Sequence, residues 1–266
     1  VKLLQALADG SVVAKRNLIK IKRVPDLLVF STAAPIMFVL LFAYVFGGSI
    51  EIPGMDYREF LMAGIFAQTV LFGATITGSG LAEDMTKGII DRFRSLPMAR
   101  SAVLVGRTTS DLVNNALVIV IMMITGLIVG WRIHSSPLEA LAGVAILLLF
   151  AYAFSWAMAW IGLLVRSPEV FNNASFIFIF PITYIANTFV QSEKLPSVLR
   201  HIAEWNPVSA VTLAARELFG NTSPLQTPPD AWPLQHPVLA SLGWVVIFLL
   251  IFVPLANYQY KRAVAR

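Results

Sequence analysis

Six stretches of about 20 or more largely apolar residues punctuate the chain, and nothing constrains its fold more. They run over 27–49, 60–82, 112–131, 138–165, 170–190 and 238–256. At about 1.5 Å of rise per residue, roughly 20 helical residues cross the ~30 Å hydrocarbon core of a bilayer. In that medium every backbone polar group needs an internal partner, so such runs fold as helices. Composition agrees. Of 266 residues only 13% are charged, about half the share of a soluble domain, which is too few to coat a soluble surface of this size. The expected fold class is an all-α integral membrane protein with six transmembrane helices, forming one domain over 1–266. The chain has no cysteine, which excludes disulfides, thiolate nucleophiles and Cys-based metal sites.

An even number of spans places both termini on one side, and Lys and Arg choose that side. Lys2, Lys15, Arg16, Lys20, Lys22, Arg23, Lys87, Arg92, Arg94, Arg100, Arg107, Arg166, Lys261, Arg262 and Arg266 share one face. Only Arg58, Arg132, Lys194, Arg200 and Arg216 fall on the other. The 15-to-5 split predicts cytoplasmic termini, a plasma-membrane location and a tail over 257–266 on the inner side. The net charge of +5 thus reflects basic cytoplasmic segments rather than a nucleic-acid partner. The first run is too long and too far from the start for a signal-peptide core, so it is read as a retained span.

Three non-spanning segments carry pattern. Over 1–24, Leu3, Leu4, Leu7, Val13, Leu18 and Ile21 alternate with clustered basic residues, which predicts a helix lying in the cytoplasmic interface. The bland alternative is simple basic flanking of the first span. Between spans two and three, Ile89, Ile90, Phe93 and Leu96 share one helical face. Glu83, Asp84, Lys87, Asp91, Arg92 and Arg94 surround it, Gly88 interrupts it, and Pro97 suits the first turn of a new helix. A helix resting on lipid headgroups favours a purely basic polar face. The mixed charges instead fit a short amphipathic helix docking into a groove on a soluble partner. In the external segment 191–237, helices are expected over 196–205 and 207–219, the second capped by Asn206, as a re-entrant-like hairpin before the last span. An irregular Pro-rich stretch should follow over 222–237.

Motifs for chemistry are missing. No phosphate-cradling G-x-x-x-x-G-K-[ST] loop, no G-x-S-x-G elbow and no clustered metal ligands occur; His134, His201 and His236 are far apart. Asp111, four residues after Arg107, is read as half of an i,i+4 ion pair rather than a proton carrier. Polar residues within the spans are few. Gln68, Thr69, Thr75, Asn172, Asn173, Thr183, Tyr184 and Asn187 are the candidates for a cargo pathway, with helix-packing glue as the alternative role for each. Such a pathway suits a large apolar or amphipathic molecule.

The stretches PIMFVLLFAYVFGGSI (35–50), FLMAGIFAQTVLFGATITG (60–78), DMTKGIIDRFRSLPMARSAVLVGR (84–107), AFSWAMAWIGLLVRSPE (153–169) and NPVSAVTLAAREL (206–218) carry a family resemblance. The sequence resembles the membrane subunit of type-2 ABC exporters and, within these, the DrrB-like daunorubicin/doxorubicin resistance permeases of actinomycetes. The resemblance covers nearly the whole chain, and the 84–107 stretch is its most specific part. It implies a half-transporter that pairs with a second permease copy or a paralogue and with two separate ATPase subunits. Those subunits would bind ATP and Mg; this chain would bind no cofactor itself. The family's coupling helix falls on about Thr86–Ser95, led in by Glu83 and Asp84, where the charge pattern already indicated partner docking. Export of hydrophobic drugs or lipids is the expected function. A polysaccharide or glycolipid exporter of the same superfamily, or a membrane scaffold without transport, are the alternatives.

Overall fold

The computed structural model describes residues 14–15, 19, 26–47, 50, 52–89, 101–189, 192, 195–223, 225 and 230–265. Its described residues form helices, named here α1 (Asp26–Leu40), α2 (Tyr57–Thr86), α3 (Ala102–Val129), α4 (Pro137–Leu164), α5 (Pro168–Tyr184), α6 (Ser197–Glu204), α7 (Pro207–Phe219), α8 (Trp232–Gln235) and α9 (Pro237–Ala265). After α1 the chain continues as a π-helix over Leu41–Phe46. Four helices, α2, α3, α4 and α9, are long and apolar enough to cross a membrane.

The starts of these helices are written in the sequence. Ser136 caps α4 in a reciprocal capping box with Glu139, and Pro137 takes the first turn. Ser167 with Pro168 begins α5, and Asn206 with Pro207 begins α7, where Asn206 Oδ1 accepts from Val208 N at 2.9 Å. Asp56 caps α2. Glycines in the left-handed region end three helices: Gly88 after α2, Gly130 after α3 and Gly220 after α7.

α2 is the axis of the bundle, packing against α3, α4, α5 and α7. Small residues bring it close to its neighbours. A Cβ on Gly162 would meet the Gly78 carbonyl, and one on Gly64 would meet the Thr188 carbonyl, the close approach that small residues allow between membrane helices. Three rings, Phe66, Trp131 and Phe219, meet edge to face and lock α2, the end of α3 and α7 together. Trp131 Nε1 donates to Asn221 Oδ1 at 2.8 Å, and Asn221 Nδ2 donates to Arg132 O at 2.9 Å.

Boundaries differ from the sequence expectation in instructive ways. α3 begins at Ala102, ten residues before the apolar run, because Arg107 reaches Asp84 of α2 as well as Asp111 and so holds this polar turn on a packed face. α9 runs on through the expected tail, whose Tyr260 is buried. α5 stops at Tyr184, short of 190, and the chain turns over 185–189. The short helix α8 interrupts the stretch expected to be irregular. Thr86 belongs to α2, not to the coupling helix expected over 86–95, since Gly88 takes φ +63° and ends α2 there. The interfacial helix expected over 1–24 lies outside the described residues apart from Ala14, Lys15 and Ile19. Asp91, Arg92, Phe93, Arg94 and Pro97 lie outside them altogether.

Candidate functional site

A cavity of about 430 Å³ opens between α1, α2, α3 and α5. Its walls are Pro35 and Phe38 from α1, Ile65 to Ile76 in part from α2, Asn114 and Val118 from α3, and Phe176, Phe180 and Tyr184 from α5. Helical spacing explains the aromatic wall: 176, 180 and 184 lie four residues apart on one face of α5, and Phe180 stacks on Tyr184 with centroids 4.3 Å apart. No charged residue lines the space. Thr75 already donates to Phe72 O at 2.6 Å. Gln68, Asn114, Thr69 and Tyr184 supply the other polar side chains of the lining.

Of the eight residues picked from the sequence as a pathway, Gln68, Thr69, Thr75 and Tyr184 line this cavity. Asn172 sits one turn before Phe176 on the same stripe, beyond the cavity, and both Asn172 and Asn173 are exposed. Thr183 is fully buried and bonds its own helix, donating to Ile179 O at 2.8 Å. Asn187 lies past the end of α5, its N–H held by Ser209 Oγ at 3.1 Å. Asn114, Phe176 and Phe180 escaped the sequence reading because a cavity is made by four helices at once.

Charged side chains cluster on the two helices that flank the α2–α3 connection. At its start Lys87 Nζ pairs with Glu83 Oε1 at 2.5 Å on the surface, and that hydrogen bond raises the lysine's pKa. Ile89 is half-buried. Deeper, Asp84 and Asp111 are buried, and the Arg107 guanidinium lies between them. Its Nη1 is 3.8 Å from Asp84 Oδ2 and its Nε is 3.7 Å from Asp111 Oδ2. Nη2 donates to Ile76 O at 3.4 Å, and the Thr77 hydroxyl donates to Asp111 Oδ2 at 2.5 Å. Gly80 makes the space, for a Cβ there would fall on the guanidinium.

At the opposite end of α2 another arginine, this one fully inside the bundle, meets the helix. Arg216 of α7, 3% exposed, donates through Nε to Phe60 O at 2.9 Å. Its Nη2 donates to Asn187 O at 2.8 Å and Thr188 O at 3.2 Å, and its guanidinium lies 3.5 Å from the Phe60 ring centroid. It thereby fastens the turn after α5 to α2 and α7. Nothing in the sequence signals this, since its partners are main-chain carbonyls.

An uncharged cavity inside a bundle of long apolar helices is the plan of a membrane permease. Residues 10–219 match the family model described as ABC-2 type transporter. The chain belongs to that family. This ABC-2 permease is similar to the daunorubicin resistance ABC transporter permease protein DrrB1 of Streptomyces coeruleorubidus, with 29% identity over 248 residues, covering 93% of this chain and 85% of that one. It is 23% identical over 229 residues to the doxorubicin resistance ABC transporter permease protein DrrB of Mycobacterium tuberculosis, covering 83% and 78% of the two chains. The probable doxorubicin resistance permease DrrC of the same organism is 22% identical over 235 residues, covering 86% and 79%. The chain is thus a multi-pass membrane permease of an ABC exporter.

Proposed function

We propose that this permease exports hydrophobic or amphipathic molecules, either drug-like compounds or lipids, and that the cavity between α1, α2, α3 and α5 receives them. The uncharged aromatic cavity carries the reading. Its volume falls within the ~300–1,000 Å³ of small-molecule sites, and its few amides and hydroxyls against an apolar wall suit an amphipath. A phosphate headgroup or a chain of several sugars would find few partners there. The names of the relatives support a drug among the cargoes.

Six helices span in this reading: the four long ones, α5, and α1 continued through its π-helical turn. The 15-to-5 division of basic residues supports cytoplasmic termini and a cytoplasmic α2–α3 loop. Around Thr86–Ser95 that loop docks on a separate ATPase subunit, which binds ATP and Mg; two such subunits serve a pair of permeases, either two copies of this chain or this chain and a paralogue. Phe93 and Ile89 seat in an apolar groove, while Asp91, Arg92 and Arg94 fix register at its rim. The test is to reconstitute the permease with its ATPase subunit in liposomes and titrate doxorubicin, a neutral lipid and a lipid-linked oligosaccharide. Stimulated ATP hydrolysis by either of the first two is expected. Stimulation by the oligosaccharide alone would replace this reading with the polysaccharide one. Phe93→Ala and Arg92→Glu are expected to weaken co-purification of the ATPase subunit, and normal assembly of both variants removes the docking assignment.

A further inference from the structure

The α2–α3 loop is taken here as the docking segment, as just proposed. We infer that Arg107 is a positioning residue for coupling, carrying displacement of that loop to the wall of the cavity. One guanidinium touches three things that must move together. Asp84 belongs to the last turn of α2, where the loop begins. Asp111 stands on α3, past the point where the loop ends. The Ile76 carbonyl belongs to a residue that lines the cavity. On α3 the same face repeats the connection, since Asn114, another lining residue, follows Asp111 by three positions. The cluster therefore adjoins the cavity lining through Ile76 and Asn114 and links the loop to the cargo space.

Stability alone gives a poor account of this cluster. Two carboxylates and one guanidinium are withdrawn from solvent, where apolar packing of similar volume holds helices as well or better. The same helix α2 is packed against α4 without charge, through Gly78 and Gly162. The geometry also shows a cation shared rather than committed. Its distances to the two carboxylates are 3.8 and 3.7 Å, and Nε lies buried without a hydrogen bond. A closed charge-assisted bond is about 2.7–2.9 Å long, so a shift of about 1 Å seals one contact and opens the other. Two such arrangements are what a bundle with inward- and outward-facing packings requires.

The chain has no cysteine, so a single Thr69→Cys substitution places one thiol in the cavity wall. In the reconstituted complex with its ATPase subunit, the rate of thiol labelling is measured with and without ATP; no cargo is needed. With Arg107 present, ATP is expected to change the rate. With Arg107→Leu the ATP-dependent change should shrink by at least about fivefold, the lower range of a coupling between two sites. Co-purification of the ATPase subunit and its basal hydrolysis should be retained. Arg107→Lys should restore part of the response, and Gly80→Ala should reproduce the loss with every charge in place, because it displaces the guanidinium. A wild-type ATP response in folded Arg107→Leu overturns the inference, as does the absence of any response with Arg107 present. If Arg107→Leu fails to fold, Asp84→Asn decides by the same readout. Loss of co-purification in Arg107→Leu would place the residue in docking and also overturn it. Failure of the docking reading is separate, since it is seen as normal assembly of Phe93→Ala and Arg92→Glu.

Discussion

Replacing Arg216 with methionine should destabilise the bundle more than any other single change to an ionisable residue at that end. Methionine keeps much of the side-chain length and apolar stem but donates nothing. The Phe60 carbonyl lies within helix α2, whereas the Asn187 and Thr188 carbonyls lie in the turn after α5 and lose a charged donor. Each buried acceptor left without its donor costs about 1–3 kcal/mol. The contact with the Phe60 ring adds about 1 kcal/mol. Against this, the variant no longer desolvates a cation, which returns part of the loss. The net expectation is about 3 kcal/mol, or about 6–12 °C in midpoint at the ~2–4 °C per kcal/mol of chains this long. Thermal unfolding of the detergent-purified permease, followed by fluorescence or by loss of the monodisperse peak, measures it. Arg216→Lys should recover part of the loss, since one ammonium cannot reproduce the planar fork. A midpoint within about 2 °C of wild type for Arg216→Met would show that the three carbonyl contacts contribute nothing net.

Three further outcomes are expected. Thr69→Trp, which fills the cavity, should abolish cargo-stimulated ATP hydrolysis while leaving the thermal midpoint within a few degrees; unchanged stimulation would remove the cavity from the pathway. Asn221→Leu leaves the Trp131 indole N–H without its acceptor and should cost about 1–3 kcal/mol, read as a lower midpoint in the same assay. Gly162→Val drives a side chain into the Gly78 carbonyl and should prevent monodisperse purification, whereas substitution at Gly243, which has open space around it, should not.

The apolar runs and the capping residues were legible because they act locally. Ser136 with Glu139, Ser167 with Pro168 and Asn206 with Pro207 begin helices where those residue types always tend to. What was hidden depends on residues distant in sequence. α3 starts early because Arg107 finds Asp84, 23 positions back, across a glycine that looks like any other in a span. Arg216 counted simply as one basic residue of the outer side; its carbonyl partners have no side-chain signature. The cavity was half legible. Polar content pointed to Gln68, Thr69, Thr75 and Tyr184, but the same criterion chose Thr183, which is satisfied by its own helix, and Asn172 and Asn173, which lie outside the cavity. Polarity marks where a group costs energy, whereas a cavity is defined by the space that four helices leave.

The backbone contact between Gly78 and Gly162 has a mechanical consequence. It divides α2 unequally: at 1.5 Å per residue, Asp84 lies about 9 Å to one side and Gln68 about 15 Å to the other. Against α4 the crossing is glycine on glycine, with the Phe171 ring of α5 lying on Gly78 as well, so that α2 has a bearing there about which to tilt, as a beam on a fulcrum. A tilt that moves Asp84 by about 1 Å swings Gln68 by about 1.7 Å in the opposite direction, a lever with its short arm at the loop and its long arm in the cavity wall.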